Sequence, residues 1–122
     1  MKAIPIPKLK KQLTTLFNTY IRQRDNGLPC ISCGKDKVLQ AGHYVPQKQS
    51  SYLRFNEWNV NGECGGCNAF DDFHLIPYRK NLIEKIGLSE VKWLEDNRKI
   101  VKLWIRQELT GLITEYKSKI NS

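Results

Sequence analysis

All four cysteines of this 122-residue chain fall into two close pairs, Cys30-x-x-Cys33 and Cys64-x-x-Cys67. Two thiolates three positions apart on a tight turn point at one ion, and two such turns complete a tetrahedral four-thiolate site that leaves no thiol over. Gly34 follows the first pair and Gly65-Gly66 lie inside the second, where the backbone must turn sharply. A redox Cys-x-x-Cys is the alternative, but it needs only one pair and a βαβ setting that this sequence lacks. With four protein ligands the ion has no open position, so its role is structural. The 30 residues from 34 to 63 form a loop longer than a simple zinc ribbon needs, long enough to enclose a functional insert.

Around this staple the apolar pattern is helical. After Pro5 and Pro7, the residues Leu9, Leu13, Leu16, Phe17, Tyr20 and Ile21 share one face, and Asp25-Asn26-Gly27 ends the helix. Residues 30–67 read as knuckles, a loop and two short strands, 38–44 and 58–62. Pro77 is expected at the start of a helix that stops at Gly87, and Ser89 is expected to cap a short helix carrying Val91, Trp93 and Leu94. A last helix carries Ile105, Leu109, Leu112, Ile113, Tyr116 and Ile120 on one stripe. No apolar run approaches the ~18–20 residues that span a bilayer, and the N-terminus lacks the apolar stretch of a signal peptide. The expected location is therefore a reducing cytoplasm, with no membrane partner.

Lys and Arg number 20 against 12 acidic residues, a net charge of +8. The excess is uneven. Residues 1–24 hold six bases and no acid, so this segment is the first candidate to contact a phosphate backbone. Lys10, Lys11, Arg22 and Arg24 supply that charge, and Lys48, Arg54 and Arg79 flank the insert and the helix after it. For Arg54 the alternative is an ion pair with Glu57, three positions on. On charge alone, a soluble basic protein with no nucleic-acid partner is an equal alternative.

Inside the insert stand Ala41-Gly42-His43-Tyr44 and Leu53-Arg54-Phe55-Asn56-Glu57-Trp58-Asn59, and Asn68 directly follows the second pair. A neutral imidazole at His43 can take a proton from water near pH 7, and an amide such as Asn59 can fix its tautomer.

These segments, with Tyr20 to Asp25, Leu28 to Gly34, Cys64 to Asn68 and 77–87, resemble in order the NinG (Rap) family of lambdoid phages. The resemblance covers about Leu9 to Tyr116. It implies a recombination endonuclease of the HNH, or His-Me finger, type that acts on branched DNA in the cytoplasm of a bacterial host. The chain is expected to lack the longer basic N-terminal region of some members. The cysteine frame is also similar to that of the junction-resolving endonuclease VII of T-even phages. There an Asp precedes the catalytic histidine, an Asn follows the last cysteine, and both bind the catalytic metal. Carried over, His43 is the general base and Asn68 a ligand of Mg2+ or Mn2+, but Gly42 stands where the Asp belongs. Related sequences carry glycine there too. Asp72 and His74 are the candidates for the missing ligand, and Asp71 is the weakest; each is otherwise a helix-terminal charge or cap.

The expected architecture is α+β: a basic N-terminal helix (1–27), a zinc-stapled ββα-metal core (28–76) and a helical extension (77–122), within one domain. The expected function is metal-dependent hydrolysis of DNA phosphodiester bonds in Holliday junctions, D-loops or flaps. Its rivals are a zinc-knuckle DNA-binding protein without catalysis and a sequence-specific homing or restriction enzyme. A two-fold junction suits a homodimer, for which the C-terminal apolar stripe ending at Ile120 is a candidate contact, with core as the alternative reading of that stripe.

Overall fold

The computed structural model describes residues 3–71 and 73–122. In chain order the elements are α1 (Ile6–Arg24), β1 (Leu39–His43), β2 (Val60–Cys64), α2 (Gly65–Phe70), α3 (Leu75–Ile86), α4 (Leu88–Asp96) and α5 (Arg106–Ile120). The α+β class expected from sequence holds, with one small sheet.

Helix α1 starts with Pro7 in its first turn, where a missing N–H costs nothing, and buries Leu9, Leu13, Phe17 and Ile21. That stripe packs on Leu109, Ile113 and Tyr116 of α5, with Phe55 and Val60 closing the cluster. The Phe17 ring meets Phe55 and Tyr116 edge-on, at centroid separations of 5.8 and 5.1 Å. The C-terminal stripe is therefore core through Leu109, Ile113 and Tyr116.

β1 and β2 pair antiparallel, with Gln40 opposite Glu63, Gly42 opposite Asn61 and His43 opposite Val60. Directly opposed residues share a face, so Gln40, Gly42, Asn61 and Glu63 line one side and Ala41, His43 and Val60 the other. The second face meets the α1–α5 cluster through Val60 and Ala41. A separate cluster of Ile31, Val45, Leu53, Tyr78, Leu82, Val91 and Leu94 joins the first knuckle and the insert to α3 and α4. Tyr78, fully buried, donates its hydroxyl to the Gly42 carbonyl at 2.6 Å and so ties α3 to β1.

Three local expectations shift. The second strand runs from Val60 to Cys64, two residues later than expected, because Asn56 Oδ1 accepts the N–H groups of Trp58 and Asn59 and holds them in a turn. The Ser89 hydroxyl reaches Glu90 instead of capping α4, whose N-cap is Gly87 at φ 101°. Helix α2 ends at Phe70 with Asp71 extended, so the helix does not continue a full turn past Asn68.

Candidate active site

The cysteine cluster is built by two elements. Gly34, at φ 71°, turns the first knuckle, and its N–H donates to the Cys30 carbonyl at 2.9 Å. The second pair straddles the junction of β2 and α2, with Cys64 ending the strand and Cys67 in the helix. All four sulfurs lie within 4.8 Å of one another. The Cys33 and Cys64 sulfurs are 3.9 Å apart, against about 3.8 Å for a tetrahedron with metal–sulfur bonds of ~2.3 Å. Backbone N–H groups of Cys33 and Cys64 donate to the Cys30 sulfur at 3.4 and 3.3 Å. The N–H of Cys67 lowers the Cys64 thiol to about 7, while burial pushes Cys30 up. The four cysteines thus form one closed cluster able to hold a metal ion, and an all-thiolate donor set of this size fits zinc.

His43 ends β1, half-buried, with Nε2 2.9 Å from the carbonyl oxygen of Arg54. A carbonyl only accepts, so Nε2 carries the ring proton and Nδ1 is the basic nitrogen. Burial lowers the imidazole's affinity for a second proton; the bond to Arg54 opposes this, and the Arg54 charge adds to the lowering. The neutral base is therefore the form present at pH 7.

The Asn59 amide makes no hydrogen bond to His43. Fully buried, its amide accepts from the Val45 N–H at 2.7 Å and donates to the carbonyls of Val45 and Leu53 at 3.0 and 3.2 Å. It holds together the loop that brings the Arg54 carbonyl to the imidazole. The carbonyl that fixes the tautomer is that of Arg54, a residue whose side chain alone suggests a role in the sequence. The guanidinium donates to Thr14 Oγ1 on α1 at 2.9 Å and lies over the Phe55 ring, while Glu57 pairs with Lys119 at 2.7 Å and not with Arg54.

The other face of the sheet carries a polar group anchored on Glu63, a residue that no motif in the sequence singles out. Its carboxylate is fully buried; Oε2 accepts from the Ser32 hydroxyl of the first knuckle and from His74 Nδ1 at 2.6 Å. Asn68, exposed on α2, donates to Gln40 Oε1 at 3.0 Å, and Gln40 is the cross-strand partner of Glu63. Asn68 and His74 are thus brought to one side of the sheet. Asp71 accepts the Phe73 N–H at 2.9 Å as a local turn cap, and Asp72 lies outside the described residues. The sequence signal for Glu63 is its place directly before Cys64, just past the expected strand, which means little without the register.

The basic residues divide into two groups. Lys11, Arg22 and Lys48 are exposed and Lys10 is half-buried one turn before Thr14. Arg24 is a structural residue: five hydrogen bonds bind it to Asp25, Asn61 and the carbonyls of Glu57 and Val60. Arg79 forms a two-point pair with Glu95, at 2.7 and 3.2 Å, on the half-exposed side of α3. Both guanidiniums are thus engaged by groups of the protein itself. Among the described residues no helix is long and apolar enough to cross a membrane.

The family described as "Bacteriophage Lambda NinG protein" matches residues 2–122. The chain is 39% identical over 112 residues to Protein ninG of Salmonella phage P22, covering 90% of this chain and 55% of the relative. Protein ninG of Escherichia phage lambda is likewise 39% identical over 112 residues, at 90% and 54% coverage. Protein ninG of Enterobacteria phage H19B is 42% identical over 89 residues, at 71% and 44% coverage. The chain spans about half the length of the curated relatives it matches. No solved structure matches. The six motifs, the cysteine frame that links them and the match across residues 2–122 lead to one conclusion: this chain belongs to the NinG family of bacteriophage proteins.

Proposed function

We propose that the protein is a zinc-stapled, metal-dependent DNA endonuclease of the His-Me finger type that selects branched substrates. The observation that carries this reading is His43, a neutral imidazole at a strand end whose Nε2–H is fixed on the Arg54 carbonyl, leaving Nδ1 as a base. The order β1, β2, α2, with His43 closing the first strand and Asn68 on the helix, supports the same reading.

In the proposed reaction His43 Nδ1 takes a proton from water as the water oxygen bonds to phosphorus. The P–O bond opposite breaks, and the leaving oxygen takes up a proton from solvent. A bound Mg2+ or Mn2+ supplies charge stabilisation for the phosphorane and the departing oxygen. The Arg54 carbonyl keeps the imidazole in the reactive tautomer. Lys10, Lys11, Arg22 and Lys48 grip the backbone, and the zinc in the cysteine cluster holds the scaffold.

Sequence readout has little to support it: no helix among the described residues presents clustered Arg, Asn and Gln side chains of the sort that read base edges. Selectivity then rests on strands that diverge enough for a phosphate to reach His43, whereas linear duplex must first be deformed. The test presents one sequence as a four-way junction, a Y-fork, a flap and a linear duplex, at fixed salt with Mg2+ or Mn2+. Preferred cutting of the branched forms is the expected result. Binding without cutting would favour the non-catalytic zinc-knuckle protein, and sequence-dependent cutting of the duplex the homing or restriction enzyme.

A further inference from the structure

We propose that Glu63 and His74, with the amide oxygen of Asn68, hold the divalent cation, Glu63 delivering from β2 the carboxylate that Gly42 cannot provide from β1. The inference rests on the endonuclease reading for its purpose, though not for its geometry.

Glu63 is a fully buried carboxylate with Oε1 orphaned: among the described residues no donor reaches that oxygen. A buried charge with an unanswered lone pair is costly, and a bound cation is one of the few groups that answers it. Oε1 points at Gly42. A Cβ on Gly42 would sit 2.8 Å from the Glu63 Cβ and 3.2 Å from its Cδ, and closer still to Oε1. Gly42 is thus a place of close approach, and only one carboxylate can occupy this space. Either β1 carries an acid at position 42, or β2 carries one at position 63. This chain has taken the second course.

The other donors lie on the same face of the sheet, His74 on the second oxygen of that carboxylate and Asn68 on Gln40 beside it. His74 Nδ1 stands 2.6 Å from Glu63 Oε2, where a shared proton now holds them. Donors around an ion at ~2.1 Å lie about 3 Å apart in octahedral geometry, so an ion can replace that proton with only a few tenths of an ångström of opening. His74 begins α3 at 17% side-chain exposure, which leaves a route for the ion. Asn68 gives its N–H to Gln40, the cross-strand partner of Glu63, and leaves its amide oxygen available. Ser32 braces Glu63 from the first knuckle, so the zinc staple positions the carboxylate. One carboxylate, one imidazole and one amide oxygen make a mixed oxygen and nitrogen set, better suited to Mn2+ than to Mg2+.

The experiment titrates Mn2+ into zinc-loaded protein and reads the free Mn2+ signal by electron paramagnetic resonance, with zinc content and thermal midpoint as controls of the fold. The wild type is expected to take up one Mn2+ per chain. Glu63→Gln should weaken binding at least about tenfold with zinc retained, and His74→Ala should weaken it as well. Gly42→Asp combined with Glu63→Gly should restore it, since only removal of the whole Glu63 side chain, Cβ included, frees the space for the aspartate. If Glu63→Gln loses zinc, His74→Ala and Asn68→Ala carry the measurement. Wild-type affinity in the Glu63 and His74 variants, or no Mn2+ uptake by the wild type, would overturn the assignment. A double variant that keeps zinc and fails to regain Mn2+ would overturn the exchange of carboxylates between strands. Mn2+ held through Glu63 by a protein that cuts no DNA would uphold the site and defeat the endonuclease reading instead.

Discussion

His43 sits in a half-buried position where charge is unwelcome, and this sets its pH behaviour. Burial holds its protonation below the ordinary imidazole value of 6.5, so the basic form survives into mildly acid solution. The single-turnover cleavage rate should stay level from pH 8 down past 6.5 and fall only below it; a half-maximum at or above 6.5 would contradict this. Asn59 acts at one remove. Asn59→Ala leaves a Val45 N–H and two carbonyls without partners, and should destabilise the fold by roughly 1–3 kcal/mol in urea titration. Cleavage by the folded fraction should drop as the Arg54 carbonyl is released. The sequence singles out His43 and Asn59 by their place in the insert, but not the hydrogen bonds that Asn59 makes. Its partners lie 6 and 14 residues away, and nothing in a sequence prints a hydrogen bond across a loop. Glu63 escaped for a related reason: the space it fills is defined by the absence of a side chain on another strand.

At the scale of elements, Asp25 joins three of them. Its buried carboxylate accepts from Arg24 at the end of α1, from the Gly62 N–H on β2 and from Lys85 of α3. Burial opposes ionisation, but these donors together hold the carboxyl below its ordinary 3.8. Its contribution to stability is therefore present above pH 3.8 and is lost as pH falls through the lower folded value. Asp25→Asn should cost about 3–5 kcal/mol near pH 7, and the penalty should shrink in acid; an equal penalty at about pH 2.5 and at pH 7 would refute the ion-pair account. The sequence places α1, α3, α4 and α5 within a few residues because each buries a stripe at helical spacing. Helix α2 is not legible there, because Gly65 and Gly66 are poor helix formers and six residues carry no readable period. What holds that helix is Cys67 in the cysteine cluster and the β2 strand before it. Cys64→Ser, or chelation of the metal, should accordingly abolish cooperative unfolding and not merely lower its midpoint.

For the molecule as a whole, charge is spread along the exposed side of α1 and around the insert, while the apolar stripes are absorbed by two internal clusters. On the proposed function this charge grips phosphates, so DNA affinity should fall steeply with salt, and Lys11→Ala with Arg22→Ala should flatten that slope without altering substrate preference. Arg24 and Arg79 look the same in the sequence, and only the fold shows their carboxylate and carbonyl partners. The central claim concerns His43. The decisive measurement is single-turnover cleavage of a four-way junction, with Mn2+, by the wild type and by His43→Ala matched for zinc content and DNA affinity. The account predicts cutting by the wild type and a loss of about two to four orders of magnitude in the variant with binding unchanged. Equal cleavage by both proteins, or none by the wild type under any divalent cation, would contradict it.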